Sequence, residues 1–430
     1  MSLETSGTGV VASITRRAAD RLRAGHLWVY RSDVERLTPA EIPGGALVSV
    51  VDSRGIPLGT ALYSAASEIA LRIVSRQARV SRIGYLGELR ERLFAALQLR
   101  EIVAAEAFSG ADSSHGITAT NACRLFFSEA DGLPGIIADR YHGLVVVQLL
   151  TQGTAQEDVR RVLVEVLSQQ PWVQTVVERP DARVRELEHL DPTPDAPLFV
   201  RDGADPTLET VFTINGVRFH FDAAAGQKTG AFLDQRLNYD AAAHYAGGRA
   251  LDVCTYQGGF ALHLARACER VTGVDASRAA LEVADRNLEL NTALNAKVDW
   301  IEADAFELMR DFADAGKHFD TIVLDPPAFA KSKRAAEGAL RGYKELNLRA
   351  IKMLAPTADG GSTRSGGTLI TCSCSHHVGL EDFLEVIRSA AIDAGRHVQL
   401  IETRGAAPDH PAILTLPETS YLKCLILRVR

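Results

Sequence analysis

The chain has 430 residues, enough for two or three domains with cores of their own, and a net charge of −7. That charge is unevenly placed: Val11 to Arg100 holds 14 arginines, no lysine and 8 acids, a balance of +6, and the rest carries −13. No apolar run reaches the ~18 residues of a membrane span, Met1–Val10 lacks the pattern of a signal peptide, and the 6 cysteines form no paired framework. A membrane protein and a disulfide scaffold are thereby excluded, and a reducing cytoplasm is expected.

From Val10 to about Val80, short apolar runs (LWVY, ALVSVVD, PLGTALYS, IALRIVS) punctuated by Gly and Pro predict a small all-β module of hairpins or a barrel. Arg16, Arg17, Arg21, Arg23 and Arg31 interleave with Trp28 and Tyr30, a mixture able to grip phosphates and stack a base. A solvated arginine surface over core aromatics accounts for the same residues. Residues Ser81–Phe108 read as helix and Ser109–Thr120 as a polar loop. Strands follow at Arg124–Phe127, Gly135–Asp139 and Leu144–Leu150, then an amphipathic helix at Gln156–Gln169 and a strand at Val173–Glu178. This is a compact α+β middle domain, read as a spacer or substrate-shaping module.

DGADP (Asp202–Pro206) is the expected linker into the last domain. Thr210–Asp222 predicts a hairpin turning on Asn215-Gly216. Strands then alternate with helices, which defines a doubly wound α/β sheet. The chain closes with AILTL and YLKCLILRVR, expected to pair antiparallel about Pro417-Glu418.

The centre of that sheet is Ala250–Asp275. An apolar strand carrying Asp252 breaks at Gly258-Gly259, a helix begins at Phe260, and a second strand ends on Asp275. A strand, glycine turn, helix, strand and acid in this order bind a nucleoside at the carboxyl edge of a parallel sheet. No G-x-G-x-x-G is present, so no pyrophosphate cradle is spelled out, and S-adenosylmethionine is a better ligand than a dinucleotide. Asp252, Asp275, Asp304 and Asp325 end successive strands, where one acid alone is commonly a helix cap. Asp275 suits the ribose, Asp304 the adenine amino group and Asp252 the methionine portion. Tyr256, Gly258 and Phe260 belong to the same turn, and Lys228 and Thr229 are expected near the cofactor carboxylate.

Asp325-Pro326-Pro327 follows the strand TIVL directly, and the two prolines stiffen a loop that exposes its carbonyls. Such a loop, with Phe329 beyond it, is what amino- and base-directed methyltransferases place beside an extruded base. Thr368–Thr371 leads into Cys372-Ser373-Cys374-Ser375-His376-His377. If that strand neighbours the one ending at Asp325, the two loops begin about 5 Å apart, and a thiol and a carboxyl reach one pyrimidine. Cytosine C5 is a poor nucleophile, so its methylation requires a thiolate to add at C6 first. Buried apolar cysteines and a zinc site are the competing readings. No second ligand pair is visible, so no metal is assigned.

Taken together, GHLWVYRSDV, SEADGLPGIIADRY, GQKTGAFLDQR, YQGGF, VDAS, LDPPAFAKSK, RGYKELNLRAI, CSCSHH and DHPAILTLPE…YLKCL resemble the RlmI-type 23S rRNA cytosine-5 methyltransferases over almost the whole chain. The resemblance implies a PUA-like RNA-binding domain (9–80), a small EEHEE-type α+β domain (81–205) and a class I, Rossmann-like methyltransferase domain (206–430). It further implies Cys374 as the nucleophile with Asp325 on the base edge, and Pro326, Pro327, Phe329, Arg16 and Arg17 as RNA contacts. The implied cofactor is S-adenosylmethionine. The implied partners are 23S rRNA or a large-subunit particle and a second copy in a homodimer, with no membrane. Ala328 stands where other RNA cytosine-5 methyltransferases place a second cysteine, and Ala358–Gly367 is an inserted polar loop. Two rivals are an N-methyltransferase acting on a guanine or another amino group, and a non-catalytic RNA-binding assembly factor.

Overall fold

A computed structural model describes residues 9–105, 120–204, 206, 208–224, 230–294, 296–329, 336–355 and 366–430. The first sheet contains β1 (Val11–Ile14), β2 (Trp28–Tyr30), β3 (Val34–Thr38), β4 (Leu47–Asp52), β5 (Pro57–Tyr63) and β6 (Ile69–Ser75), ordered β2-β6-β5-β4-β1-β3. The front module is not all-β. Arg16–Arg23 form a helix, α1, capped by Thr15, whose Oγ1 accepts the Ala18 N–H. Its Ala18, Ala19 and Leu22 stripe is buried, and that helical spacing hides between arginines in a stretch that the sequence reads as all-β.

Helix α2 (Arg82–Val103) leads into the second sheet, β7 (Ala122–Phe127), β8 (Ile136–Tyr141), β9 (Leu144–Leu149), β10 (Thr175–Glu178) and β11 (Phe199–Val200), with α3 (Glu157–Ser168) and α4 (Ala182–Glu188) between strands. The six residues of β9 are all buried because both faces of the sheet are covered. Val145, Val147 and Leu149 join a core with α2 and α3, whereas Leu144 and Val146 face the hairpin β12 (Glu209–Ile214) and β13 (Val217–Asp222). That hairpin turns on Asn215 (φ +49°) and Gly216 (φ +81°), the two positive φ values the Asn-Gly pair predicts.

Helix α5 (Arg236–Tyr245) opens the last layer. Then come β14 (Arg249–Val253), α6 (Gly259–Leu264), β15 (Arg270–Asp275), α7 (Arg278–Glu289), β16 (Lys297–Glu302), α8 (Ala305–Asp314), β17 (Thr321–Leu324), α9 (Ala336–Met353), β18 (Gly367–Ser373), α10 (Leu380–Ala394), β19 (Val398–Arg404) and β20 (Lys423–Val429). The strand order is β16-β15-β14-β17-β18-β20-β19, parallel from β16 to β18, with β20 antiparallel to both its neighbours. The order reverses between β14 and β17, and this switch point opens a crevice at the carboxyl ends.

The closing pair differs from the expectation. β20 pairs with Val398–Arg404, while Ala412–Leu416 forms no strand. That segment instead leaves the sheet, crossing to the other two layers. Asp409, wholly buried, accepts from the Arg124 N–H at 2.9 Å and Arg236 Nε at 3.3 Å, and Thr415 Oγ1 donates to the Gly25 carbonyl at 2.9 Å. The buried ion pair draws the segment away from the sheet, and β19 takes the edge it would have used.

Candidate active site

The crevice at the switch point is a cleft of about 850 Å³ lined by residues from all three layers. Its floor is the turn after β14. Cys254, Tyr256 and Gly258 have φ values of +65°, +52° and +86°, so two side-chain-bearing residues hold a left-handed conformation that costs energy. The turn is held from two sides. Asp275 Oδ2 accepts the Tyr256 N–H at 2.9 Å while its Oδ1 accepts the Ser277 N–H at 2.9 Å. Asp252 does not stand in the cleft wall beside a methionine portion. It is wholly buried beneath the turn, where Oδ2 accepts from Thr255 Oγ1 and from the Ala261 N–H at 2.9 Å. Burial pushes its carboxyl up to about 7, against the opposing pull of those hydrogen bonds.

Asp304 caps α8, with Oδ1 accepting from Phe306 N at 2.9 Å and Glu307 N at 3.1 Å, and lines the cleft with Asp275, Ala276, Ala303, Ala305 and Phe306. Tyr256, Phe260 and Phe232 form the adjoining wall, with Phe232 and Tyr256 edge to face at 5.2 Å. A carboxylate at the end of the second strand, beside a tight turn and an apolar slot, fits the ribose and adenine of a nucleoside cofactor. Lys228 and Thr229 lie outside the described residues.

Asp325 follows β17, and Pro326, Pro327, Ala328 and Phe329 continue along the cleft. Gln235 Nε2 donates to Asp325 Oδ1 at 3.1 Å, and Asn238 Nδ2 donates to Gln235 Oε1 at 2.7 Å. Burial, then the nearby charges of Asp234 and Asp252, push the Asp325 carboxyl up to about 8, with Gln235 opposing. At neutral pH this acid is mostly protonated and able to donate.

β17 and β18 are parallel neighbours, Leu324 opposite Thr371, so the loops beyond them start side by side. Cys374 Sγ lies 4.0 Å from the Pro326 carbonyl oxygen and lines the cleft. Cys372 is wholly buried, facing Cys424 across β18 and β20. β18 ends at Ser373, so Cys372 stays within the covered sheet while Cys374 stands in the loop beyond the strand's carboxyl end, where the cleft opens.

Several cleft residues are not assigned to this site by the sequence, which reads Trp28 as a base-stacking aromatic of the front module. Trp28 of the front sheet and Arg124, Phe127 and Glu129 of the middle one line it, and Trp28 Nε1 donates to Glu129 Oε1 at 2.8 Å. The middle layer is therefore part of the wall. Tyr421 donates to Asp234 Oδ2, both lining the cleft. Arg16 and Arg17 lie on α1, outside that lining, paired with Asp20 at 3.8 Å and Asp33 at 2.9 Å. Among the described residues no cluster of His, Cys, Asp or Glu could hold a metal ion, and no helix is long and apolar enough to cross a membrane.

A doubly wound sheet with an antiparallel seventh strand, a strained turn after its first strand and an acid ending its second defines a class I, S-adenosylmethionine-dependent methyltransferase. A family model described as S-adenosylmethionine-dependent methyltransferase matches residues 124–428, and one described as PUA-like domain matches 13–76. More narrowly, the chain belongs to the family of ribosomal RNA large subunit methyltransferase I. It is 36% identical over 408 residues to that protein of Photobacterium profundum, covering 94% of this chain and 95% of the relative. To that of Erwinia tasmaniensis it is 38% identical over 407 residues, covering 94% and 95%. Among solved structures, a candidate SAM-dependent methyltransferase from Streptococcus mutans superposes with a TM-score of 0.76 at 17% identity, covering 97% of this chain and 99% of that one, a likeness of fold.

Proposed function

We propose that the enzyme forms 5-methylcytosine in large-subunit ribosomal RNA, 23S rRNA, in the cytoplasm. The observation that carries this reading is that Cys374 Sγ and the Asp325-Pro326-Pro327 loop share one cleft, 4.0 Å apart at the Pro326 carbonyl. The relatives named above support the choice of RNA. When bound, S-adenosylmethionine supplies an electrophilic methyl group. Asp275, Asp304, Tyr256, Gly258 and Phe260 would hold it from one side of the cleft, with Asp252 stiffening the turn from beneath.

The target cytosine is extruded into the cleft between Cys374 and Asp325. Protonated Asp325 donates to cytosine N3 while its other oxygen accepts from the N4 amino group. The Cys374 sulfur bonds to C6, which places the electron pair on C5. C5 would then take the methyl group from the sulfonium, leaving the neutral thioether, and loss of the C5 proton to water would expel Cys374 from C6 as the thiolate. Pro326, Pro327 and Phe329 hold the ring, and Arg16 and Arg17 meet phosphates further along the RNA. A division into 9–80, 81–205 and 206–430 keeps the six-stranded and five-stranded sheets each within one unit and groups the β12–β13 hairpin with the seven-stranded sheet. The exposed Leu400 and Ile401 on edge strand β19 support a homodimer, which sedimentation at micromolar concentration tests.

RNA carrying 5-fluorocytosine cannot lose the C5 substituent, so the covalent adduct stays. Wild type and Cys372→Ala are expected to give an SDS-stable complex and Cys374→Ala none. Continued methylation by Cys374→Ala would instead assign the chemistry to an amino group.

A further inference from the structure

Lys423 begins β20 opposite Ser373, and its side chain is buried, an unusual place for an ammonium. Lys423 Nζ donates to the Ser375 carbonyl at 2.7 Å and to the Tyr421 carbonyl at 2.7 Å. One of these carbonyls belongs to the residue following Cys374, and the other to a tyrosine of the cleft wall. The segment is held a second time from α9. The Tyr343 hydroxyl is 3.0 Å from both Ser373 Oγ and Ser375 Oγ. Both serines flanking Cys374 are thus pinned inward, which leaves the alternate residue, the cysteine, directed at the Pro326 carbonyl.

The groups around this sulfur come from four elements. Tyr343 approaches from α9, Tyr421 from the segment before β20, Asp325 from the loop after β17, and Lys423 from β20 itself, with His376 beyond it. At neutral pH both tyrosines are uncharged, their hydroxyls pushed up chiefly by burial. Asp325 is mostly protonated, and burial followed by the Lys423 charge holds His376 below its usual range, as the neutral imidazole. Lys423 is then the cation that acts on the sulfur, while Arg124 acts on Tyr421. Burial brings it down to about 8 while the Cys374 charge works in the opposite direction, so sulfur and nitrogen stabilise each other's ionised forms.

We propose that Lys423 is a positioning residue for Cys374: its ammonium fixes the Ser375 carbonyl and favours the neighbouring sulfur as the thiolate. This rests on the reading of Cys374 as the nucleophile. The thiol proton leaves to water in the cleft, and at neutral pH Lys423 keeps its own three protons.

The test needs no RNA, so it is separate from the adduct experiment that decides the nucleophile. The rate of Cys374 alkylation by iodoacetamide is followed by peptide mass spectrometry from pH 6 to 10 in the full chain. Lys423→Met is expected to slow alkylation at pH 7 by about tenfold and move the midpoint of the profile upward. Lys423→Arg is expected to stay within about threefold of wild type, and unchanged S-adenosylmethionine affinity shows an intact fold. Coincident profiles for wild type and Lys423→Met, or an equal fall in Lys423→Arg, overturn the proposal. Where Lys423→Met does not fold, the reciprocal measurement decides. Carbon-13 NMR of the Lys423 ε-carbon is expected to show a lower titration midpoint in Cys374→Ser than in wild type, and equal midpoints overturn the proposal.

Discussion

Gln235 donates a hydrogen bond to Asp325 across 3.1 Å, from the single 3-10 turn before α5 to the end of β17. It meets an acid that burial and two neighbouring carboxylates hold protonated up to about pH 8. The unfolded carboxyl ionises near 3.8, so between about pH 4 and 8 the native state keeps a proton that the unfolded chain has lost. Raising the pH through that window therefore removes stability. Asp325→Asn titrates nowhere in it. Thermal unfolding at pH 5 and pH 8.5 is expected to show the variant gaining on wild type by at least about 1.4 kcal/mol, the equivalent of one pKa unit. An equal gap at both values would place Asp325 in contact with solvent.

Asp275 accepts from the backbone at Tyr256 and Ser277 and borders the cleft. Asp275→Ala removes the proposed ribose contact and a support of the strained turn together. Calorimetric titration is expected to show S-adenosylmethionine affinity reduced tenfold or more, about 1.4 kcal/mol. Retention of full affinity would put the ribose elsewhere.

Asp409 is the buried anion that Arg236, also wholly buried, and the Arg124 backbone share. Deleting one partner of a buried pair leaves the other charge uncompensated, at about 3–5 kcal/mol. Asp409→Ala is expected to lose stability of that order in urea, whereas Asp409→Asn, which keeps the acceptor, loses less. Equal losses would mean that the charge is unimportant there.

Tyr343→Phe removes the hydroxyl between Ser373 and Ser375 while keeping the ring against Phe329 at 4.8 Å and Phe383 at 5.3 Å. Its stability cost is expected at about 1–2 kcal/mol. In methyl transfer, kcat is expected to fall several-fold with KM for RNA little changed, because the sulfur loses its aim rather than the RNA its contacts. A change confined to KM would argue against that role.

The sequence alone determined the elements whose cause is local. Asn215-Gly216 made its hairpin because two positive φ values suit those residues, and the β14 strand, its glycine turn and Asp275 followed from short-range pattern. The long strings around Asp325 and Cys374 marked the same loops that the switch point brings together. Tertiary structure decided the rest. The helix among the front arginines, the departure of the Asp409 segment from the sheet, the withdrawal of Asp252 beneath the turn, the entry of Trp28, Phe127 and Gln235 into the cleft and the placing of Lys423 behind the Cys374 loop all depend on tertiary packing. Burial, buried charge pairing and the covering of Cys372 by β20 while Cys374 opens onto the cleft are properties of packing, and no local pattern encodes them.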